Sequence, residues 1–299
     1  MKYFKKEAKR NSERYIINAT TFENVTERKY PFEQLDKKNE IHQYAICPSC
    51  LNPIILIGLS LNTVRNPYGK HAGKSIPDLA EWDQIKYTYC PYATTRKKLP
   101  DDDEKLPEIT DEIIELYNLL KQQFDRVIYI LEKELDIRAS ADFWANTIKQ
   151  FLVNRAYLYP WLTEANLPYI FAYFGMTQKR LYMQKIRIKS DLYNTLKKHT
   201  SVRFVNSENN FAQIANKDSC FLNLHMRFFK HTYKASEGEQ LIESMLFCID
   251  DKDTGNTIFT KQIKFSETYF MNIIASGKEE KRQKWLLDIA EKNMPELKM

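Results

Sequence analysis

The amino-acid sequence predicts an α+β fold with three parts: an N-terminal zinc-ribbon-like module, a central helical region, and a C-terminal antiparallel β-meander with a terminal helix. Three observations support this prediction. A Cys-x-x-Cys pair lies in the N-terminal third, apolar residues recur at helical spacing between residues 113 and 152, and apolar and polar residues alternate from Leu222 onward. The chain has 7 glycines in 299 residues, where average usage gives about 20, and this scarcity counts against glycine-rich dinucleotide-binding folds.

Residues 1–40 are predicted to form a polar N-terminal arm, because they are rich in charged residues and carry only scattered aromatics such as Phe22 and Phe32. The first 14 residues lack the apolar core of a secretory signal. The longest apolar run, Pro53–Leu61, is about half the length that spans a bilayer, so no membrane partner is expected. The chain has five cysteines, which cannot all pair within one chain, and a metal site predicted below uses three of them, so a reducing cytoplasm is expected.

Residues 41–98 are predicted to form a metal-binding module around Cys47 and Cys50. A Cys-x-x-Cys pair on a tight turn supplies two of the four tetrahedral ligands that zinc prefers. A short apolar run precedes this pair, Pro48 restricts the backbone at the turn, and a second apolar run follows, as in a zinc-ribbon hairpin. The spacing therefore predicts a Zn²⁺ site on a hairpin turn.

The third and fourth ligands are predicted to be His71 and Cys90, with His42 as the substitute for His71. Four protein ligands would leave no position for water or substrate, so such a site would be structural. Two alternatives stay open. The cysteines could be reduced residues buried as small hydrophobes. A redox-active pair is less favoured, because Pro53 makes the following residues a poor helix start.

The segment Gly69–Ser75 ends in Gly-Lys-Ser and so partly matches a phosphate-binding loop. The loop requires four residues between its glycine and its Gly-Lys pair, and this segment has three. Pro77 also stands where the following helix should begin. We therefore interpret this segment as a turn that presents His71.

Charge divides the chain into blocks. Residues 1–100 carry 17 basic against 10 acidic side chains, residues 101–140 carry 5 against 12, and residues 141–220 carry 11 against 5. Residues 99–107 place four consecutive acidic residues between two prolines, which predicts an acidic linker. Two basic segments on either side of an acidic one suit a polyanionic partner.

Residues 108–200 are predicted to be helical. Thr110 is a suitable N-cap for a long amphipathic helix that ends near Asp136, and Ser140 can cap a second helix. Three short helices are expected between residues 163 and 199, where Gly175 suits a C-terminal cap.

The second half of the segment 172–182 resembles a helix-turn-helix motif, since a glycine, an apolar residue, a capping threonine and a basic stretch follow one another. The resemblance implies a recognition helix with basic residues along it or just after it. The alternative is a solvated basic face on an ordinary helical hairpin. Tyrosines between the basic residues also allow single-stranded nucleic acid to stack there. The predicted nucleic-acid-binding residues are Lys179, Arg180, Lys185, Arg187 and Lys189.

Residues 201–299 are predicted to form antiparallel strands and a C-terminal helix from residue 278 to residue 293. Alternation after Leu222 indicates a half-buried strand, and residues 251–256 have the composition of a hairpin loop. Glu243, Asp250 and Lys261 could supply a metal-dependent nuclease site from adjacent strands. We do not favour this site, because acidic residues are common in hairpin loops.

The sequence therefore predicts a zinc-stabilised protein that binds DNA or RNA without a reaction of its own and that could act as one subunit of a larger complex. Two alternatives stay open. One is a metal-dependent nuclease or phosphoesterase on the C-terminal sheet, and the other is a protein-interaction module that uses the aromatic surface. No complete catalytic motif is present in the sequence.

Overall fold

A computed structural model of the chain describes residues 1–9, 12–35, 39–59, 67–88, 90, 92–93, 104–218, 220–235, 241–266, 268–277 and 282–298. The chain divides into two compact units. Unit 1 comprises Met1–Leu99 and Tyr233–Leu241, and unit 2 comprises Pro100–Thr232 and Ile242–Met299. Helices and antiparallel sheets are both present, which confirms the predicted α+β class. Among the described residues, no helix is long and apolar enough to cross a membrane.

Unit 1 is built around an antiparallel sheet. Its strands are β1 (Tyr3–Lys5), β2 (Arg14–Ile16), β3 (Glu33–Leu35), β4 (Ile41–Ile46), β5 (Pro53–Ile57) and β6 (Tyr68–His71), and its helices are α1 (Ala19–Thr26) and α2 (Gln84–Thr88). The strand order is β2-β1-β4-β5-β6, and β3 pairs with β4. The zinc-ribbon character of this unit stays a prediction, although the β4–β5 hairpin does carry the Cys-x-x-Cys turn.

Residues 1–40, predicted as a polar arm, supply β1, β2, β3 and α1 rather than an irregular lead-in. Their scattered aromatics explain this difference. Phe4, Phe22 and Phe32 are all buried, in the same apolar cluster as the cysteines of the β4–β5 turn. Burial of each phenylalanine contributes about 1.5–3 kcal/mol, so three large side chains anchor a segment whose average composition is polar.

Unit 2 contains a helical layer and two sheets. Its helices are α3 (Asp111–Gln122), α4 (Phe124–Leu135), α5 (Ala141–Val153), α6 (Leu167–Gly175), α7 (Asp191–Leu196), α8 (Tyr269–Ala275) and α9 (Lys284–Asn293), with a 3-10 turn at Ala156–Leu158. One sheet has the order β7-β8-β10-β9, formed by β7 (Ile137–Arg138), β8 (Lys185–Arg187), β9 (Val202–Glu208) and β10 (Phe211–Asn216). The other has the order β11-β12-β13, formed by β11 (Leu224–Ala235), β12 (Leu241–Asp251) and β13 (Thr257–Lys264).

The long helix predicted from Thr110 to Asp136 is two helices, α3 and α4, separated at Gln123. Neither glycine nor proline stands at the break. Phe124 is fully buried and packs edge-to-face on Phe171 of α6, with ring centroids 5.5 Å apart. The break lies in the backbone of Gln123, whose φ of −113° and ψ of 22° depart from helical geometry, while the apolar periodicity continues through it.

The basic helix expected after Thr177 is not formed, so the recognition helix implied by the helix-turn-helix resemblance is wrong. Gln178 and Met183 have positive φ angles of 66° and 65°, which interrupt a helix. Residues 178–181 instead bond to β11: the Gln178 amide donates to the Met226 carbonyl, and the Leu181 amide donates to the Leu224 carbonyl, both at 2.8 Å. The chain then enters β8.

The C-terminal part of the predicted fold is confirmed. Strands β11, β12 and β13 are neighbours in one sheet, β12 pairs antiparallel with β13, and the predicted hairpin loop lies between them. Helix α9 is the terminal helix and buries Leu286 and Ala290.

Candidate metal centre

The turn between β4 and β5 positions the first two candidate ligands. The Cys47 amide donates to the Asn52 carbonyl at 2.9 Å, and the Leu51 amide donates to the Cys47 carbonyl at 3.1 Å, so the backbone doubles back within six residues. Leu51 adopts a positive φ of 60° to close this turn. As a result, both thiols point inward, with Cys47 0% and Cys50 7% exposed.

The remaining two ligands arrive from separate elements. His71 is the last residue of β6 and lies opposite Ile54 of β5, next to the turn. Cys90 follows α2, and its amide donates to the Tyr87 carbonyl at 3.0 Å. Pairing of β6 with β5 and the turn after α2 thus carry two distant residues to the Cys47–Cys50 turn.

The four side chains converge on one point. The His71 Nε2 atom lies 3.2 Å from Cys50 Sγ and 3.5 Å from Cys90 Sγ, and the Cys47 and Cys90 sulfurs are 3.7 Å apart. All four ligand atoms lie within 4.8 Å of one another. A tetrahedral ion with thiolate and imidazole ligands separates two sulfurs by about 3.8 Å and a sulfur from a nitrogen by about 3.6 Å. The cluster could therefore hold a metal ion.

The electrostatics of the cluster also favour a cation. Burial raises the pKa of the Cys47 and Cys90 thiols, whereas hydrogen bonds from Cys47 and Cys90 lower the pKa of the Cys50 thiol. A bound divalent cation would stabilise the thiolate form of all three cysteines, because metal ligation deprotonates thiols.

Asn52 supports the cluster from outside, although no sequence motif pointed to this role. Its side chain is fully buried. Its Nδ2 atom donates to Cys50 Sγ at 3.4 Å and to the Asp83 carbonyl at 2.9 Å, and its Oδ1 atom accepts from the Asp83 amide at 2.6 Å. Asn52 therefore connects the turn to the segment that leads to Cys90. The only signal in the sequence was its position two residues after Cys50.

Aromatic rings cover the His71 side chain. The Tyr87 ring lies edge-on to the imidazole at 5.0 Å, and the Trp82 ring does so at 6.3 Å. His42, the substitute ligand considered from the sequence, is not part of the cluster. It lies on β4 with its ring 6.2 Å from that of Tyr44.

The predicted nucleic-acid-binding residues do not share one helix. The Lys179 Nζ atom donates to the Asn146 carbonyl at 3.1 Å. Lys185 and Arg187 lie on β8 and face the carboxylates of Glu208 and Asp136, at 3.5 and 2.8 Å. Arg180 and Lys189 are the most exposed of the predicted residues, and the other three are partly buried.

The three residues considered for a nuclease site each bond to a different partner. Glu243 accepts from buried Asn166 at 2.8 Å and lies 2.7 Å from the His231 Nε2 atom. Asp250 pairs with Arg227, and the Lys261 ammonium donates to the Glu134 carbonyl.

In the described part of the chain, the cysteine and histidine cluster is the only group of three or more potential ligands that could hold a metal ion. No protein-family model, curated protein or solved structure matches this chain in comparisons with known proteins.

Proposed function

We propose that this chain is a zinc-stabilised nucleic-acid-binding protein without a catalytic site of its own. The observation that carries the proposal is the closed Cys₃His cluster of Cys47, Cys50, His71 and Cys90, whose ligand atoms lie within 4.8 Å of one another. Three thiolates and one imidazole are a ligand set that suits Zn²⁺. Four protein ligands fill a tetrahedral shell, so the ion stabilises unit 1 and leaves no position for a substrate.

The charge pattern supports DNA or RNA as the partner. Residues 1–100 and 141–220 each carry a clear excess of basic over acidic side chains. Such an excess favours polyanions, because each neutralised phosphate releases condensed counterions. Of the five basic residues predicted for this role, Arg180 and Lys189 are exposed, whereas Lys185 and Arg187 would have to exchange a carboxylate for a phosphate.

A cytoplasmic location and membership of a larger protein complex complete the proposal. Thiolate ligands must stay reduced, which the cytosol ensures. Because the proposed protein has no reaction of its own, we expect it to position nucleic acid for a partner protein in the same complex.

Metal content tests the zinc half of the proposal. We expect purified protein to carry one zinc ion per chain, and Cys47→Ser to lose the ion and make unit 1 sensitive to protease, because structural zinc supplies folding free energy. The matched control is Cys248→Ser. Cys248 is also buried but lies in unit 2, beside the Thr260 hydroxyl at 3.2 Å. Full resistance of metal-free Cys47→Ser protein to protease would contradict the proposal.

Binding to single-stranded and double-stranded DNA and RNA, measured across a salt series with Mg²⁺ or Mn²⁺ in parallel, tests the other half. We expect affinity that falls steeply with salt, and intact probes at the end of the measurement. Cleaved probes would favour the nuclease alternative instead. An absence of binding to every probe would refute the nucleic-acid half and direct attention to protein partners.

A further inference from the structure

An exposed row of cationic and aromatic side chains follows the outer face of β11. Leu224, Met226 and Phe228 are buried at 0%, 0% and 3% exposure. Because successive side chains of a strand alternate between faces, the residues between them, including Arg227, face outward. The Arg227 guanidinium lies 4.2 Å from the centroid of the Phe229 ring, on the same face. The Lys230 ammonium lies 5.6 Å from that centroid.

The segment 178–182 lies alongside β11 and adds further side chains to this row. Its backbone bonds to β11, and Arg180 stands directly opposite His225 across an antiparallel bridge. Leu181 is fully buried, whereas Arg180 and Tyr182 on either side of it are exposed, so these two side chains share the outer face. The Arg180 guanidinium lies 5.2 Å from the ring centroid of Phe221, which is 59% exposed.

Ring contacts and backbone bonds thus place Arg180, Phe221, Arg227, Phe229 and Lys230 on one surface, and Tyr182 is assigned to it because it is exposed two residues after Arg180. We name this surface, with its six members, the cation–aromatic row.

The balance of charge on the row is positive. Arg227 forms a two-pronged ion pair with Asp250, at 2.5 and 3.0 Å, so these two charges compensate each other. In the described part of the chain, no ion pair is formed by Arg180 or by Lys230. Two cations therefore remain to attract an anionic ligand.

We propose that the cation–aromatic row binds single-stranded nucleic acid, an inference that rests on the nucleic-acid-binding function proposed above and specifies its ligand. Unpaired bases have free faces that stack on aromatic rings and on guanidinium planes, while neighbouring cations contact the phosphates. A duplex keeps its base faces covered, so Tyr182 and Phe221 would gain little from it. An acidic peptide would satisfy the cations but would leave the exposed rings unused.

Fluorescence anisotropy with a single-stranded oligonucleotide and a duplex of equal length tests the inference on the full chain. In the Tyr182→Ala, Phe221→Ala double variant we expect single-strand affinity to fall at least on the order of tenfold, since each of the two stacked bases contributes about fivefold or more. Duplex affinity should stay as in the wild type. A second variant, Arg180→Gln with Lys230→Gln, should reduce the salt slope by about 0.7 for each lost phosphate contact.

Tyr129→Ala is the matched control, because Tyr129 is a 48% exposed aromatic of the same unit that lies on α4, outside the row. It should bind both probes as the wild type does. Circular dichroism checks that the variants remain folded, which we expect because the replaced side chains are exposed.

Two results separate failure of this inference from failure of the proposed function. If wild-type protein binds nucleic acid but the double variant retains full single-strand affinity, or if the wild type prefers duplex, the row is not the interface and the proposed function stands. If wild-type protein binds no nucleic acid, the proposed function fails and the inference fails with it.

Discussion

Asn52→Asp provides a sharp test of how the metal centre is supported. The replacement is nearly isosteric, so it creates no cavity. It keeps an oxygen that can accept from the Asp83 amide at 2.6 Å. It removes the Nδ2 donor that serves Cys50 Sγ at 3.4 Å and the Asp83 carbonyl at 2.9 Å, and it places a carboxylate oxygen against both of these electron-rich atoms.

The expected loss follows from these contacts. Removing an outer-shell partner of a metal ligand lowers metal affinity about 10- to 100-fold, which corresponds to about 1.4–2.7 kcal/mol. The Asp83 carbonyl is also left without the Asn52 donor, at a cost of about 1–3 kcal/mol. Because the two effects share one side chain and are not additive, we expect unit 1 to lose roughly 2–4 kcal/mol of stability in its metal-bound form.

Competition with a chromophoric chelator measures the zinc affinity of each variant. Cobalt substitution gives an independent reading, because the thiolate-to-cobalt absorption bands should shift when the donor to Cys50 is lost. The control is Asn166→Asp. Asn166 is equally buried and donates to the Trp161 carbonyl at 2.7 Å and to Glu243 at 2.8 Å, but it lies in unit 2. It should destabilise the protein without altering zinc affinity or the cobalt spectrum.

Wild-type zinc affinity and an unchanged cobalt spectrum in Asn52→Asp would refute this reasoning. Asn52 would then only link the Cys47–Cys50 turn to the segment before Cys90. An equal loss of affinity in Asn166→Asp would refute it too, because the effect would reflect general destabilisation rather than support of Cys50.

Two further predictions concern unit 2. Gly175→Ala should destabilise the protein by about 1–3 kcal/mol in chemical denaturation, because a Cβ atom there would lie 2.7 Å from Thr147 Cγ2 and 2.9 Å from the Thr147 carbonyl oxygen. Adding Thr147→Ser, which removes the Cγ2 atom, should recover part of the loss. Full stability of the single variant would contradict the close packing of α5 and α6. The hydrogen bond from Arg227 lowers the pKa of Asp250 below its usual 3.8, so the pair stabilises the fold above that pH and this contribution disappears as pH falls through the lowered pKa. Asp250→Asn should therefore lower the free energy of unfolding by up to about 1 kcal/mol at neutral pH. Below pH 3.8 the free energy of unfolding of this variant should fall less steeply with falling pH than that of the wild type. An equally steep fall in both proteins would show that Asp250 does not contribute to acid unfolding.

The elements that the sequence predicted well are those whose determinants lie close together in the chain. The turn at Cys47 and Cys50 depends on a few consecutive residues, and thiol chemistry limits what such a pair can do. The β-meander could be predicted equally well, because the alternation along β11 and the composition of the 251–256 loop are local signals in the sequence. The cap at Ser140 behaves likewise, because its hydroxyl accepts from the Phe143 amide. The other caps differ: Thr110 stands at the N-cap of α3 without a side-chain capping bond, and Gly175 is the last residue of α6, with Met176 as the C-cap.

Tertiary structure decided the features that depend on distant partners. Residues 178–181 have a helical composition, yet they are not helical, because their amides and carbonyls bond to β11, more than 40 residues later in the chain. Residues 1–40 have a polar composition, yet they join a sheet because Phe4 and Phe22 find a core built by β4 and β5. Burial of a few large side chains outweighs the average character of a segment.

The metal cluster shows both kinds of determination. The sequence by itself determined which residue types could ligate and placed two of them on one turn. Only the pairing of β6 with β5 decided that His71 rather than His42 joins the cysteines, since the two histidines are equally good ligands in isolation. The Asn52 contacts were likewise settled by folding, because a hydrogen bond to Asp83 across 31 residues leaves no local pattern in the sequence.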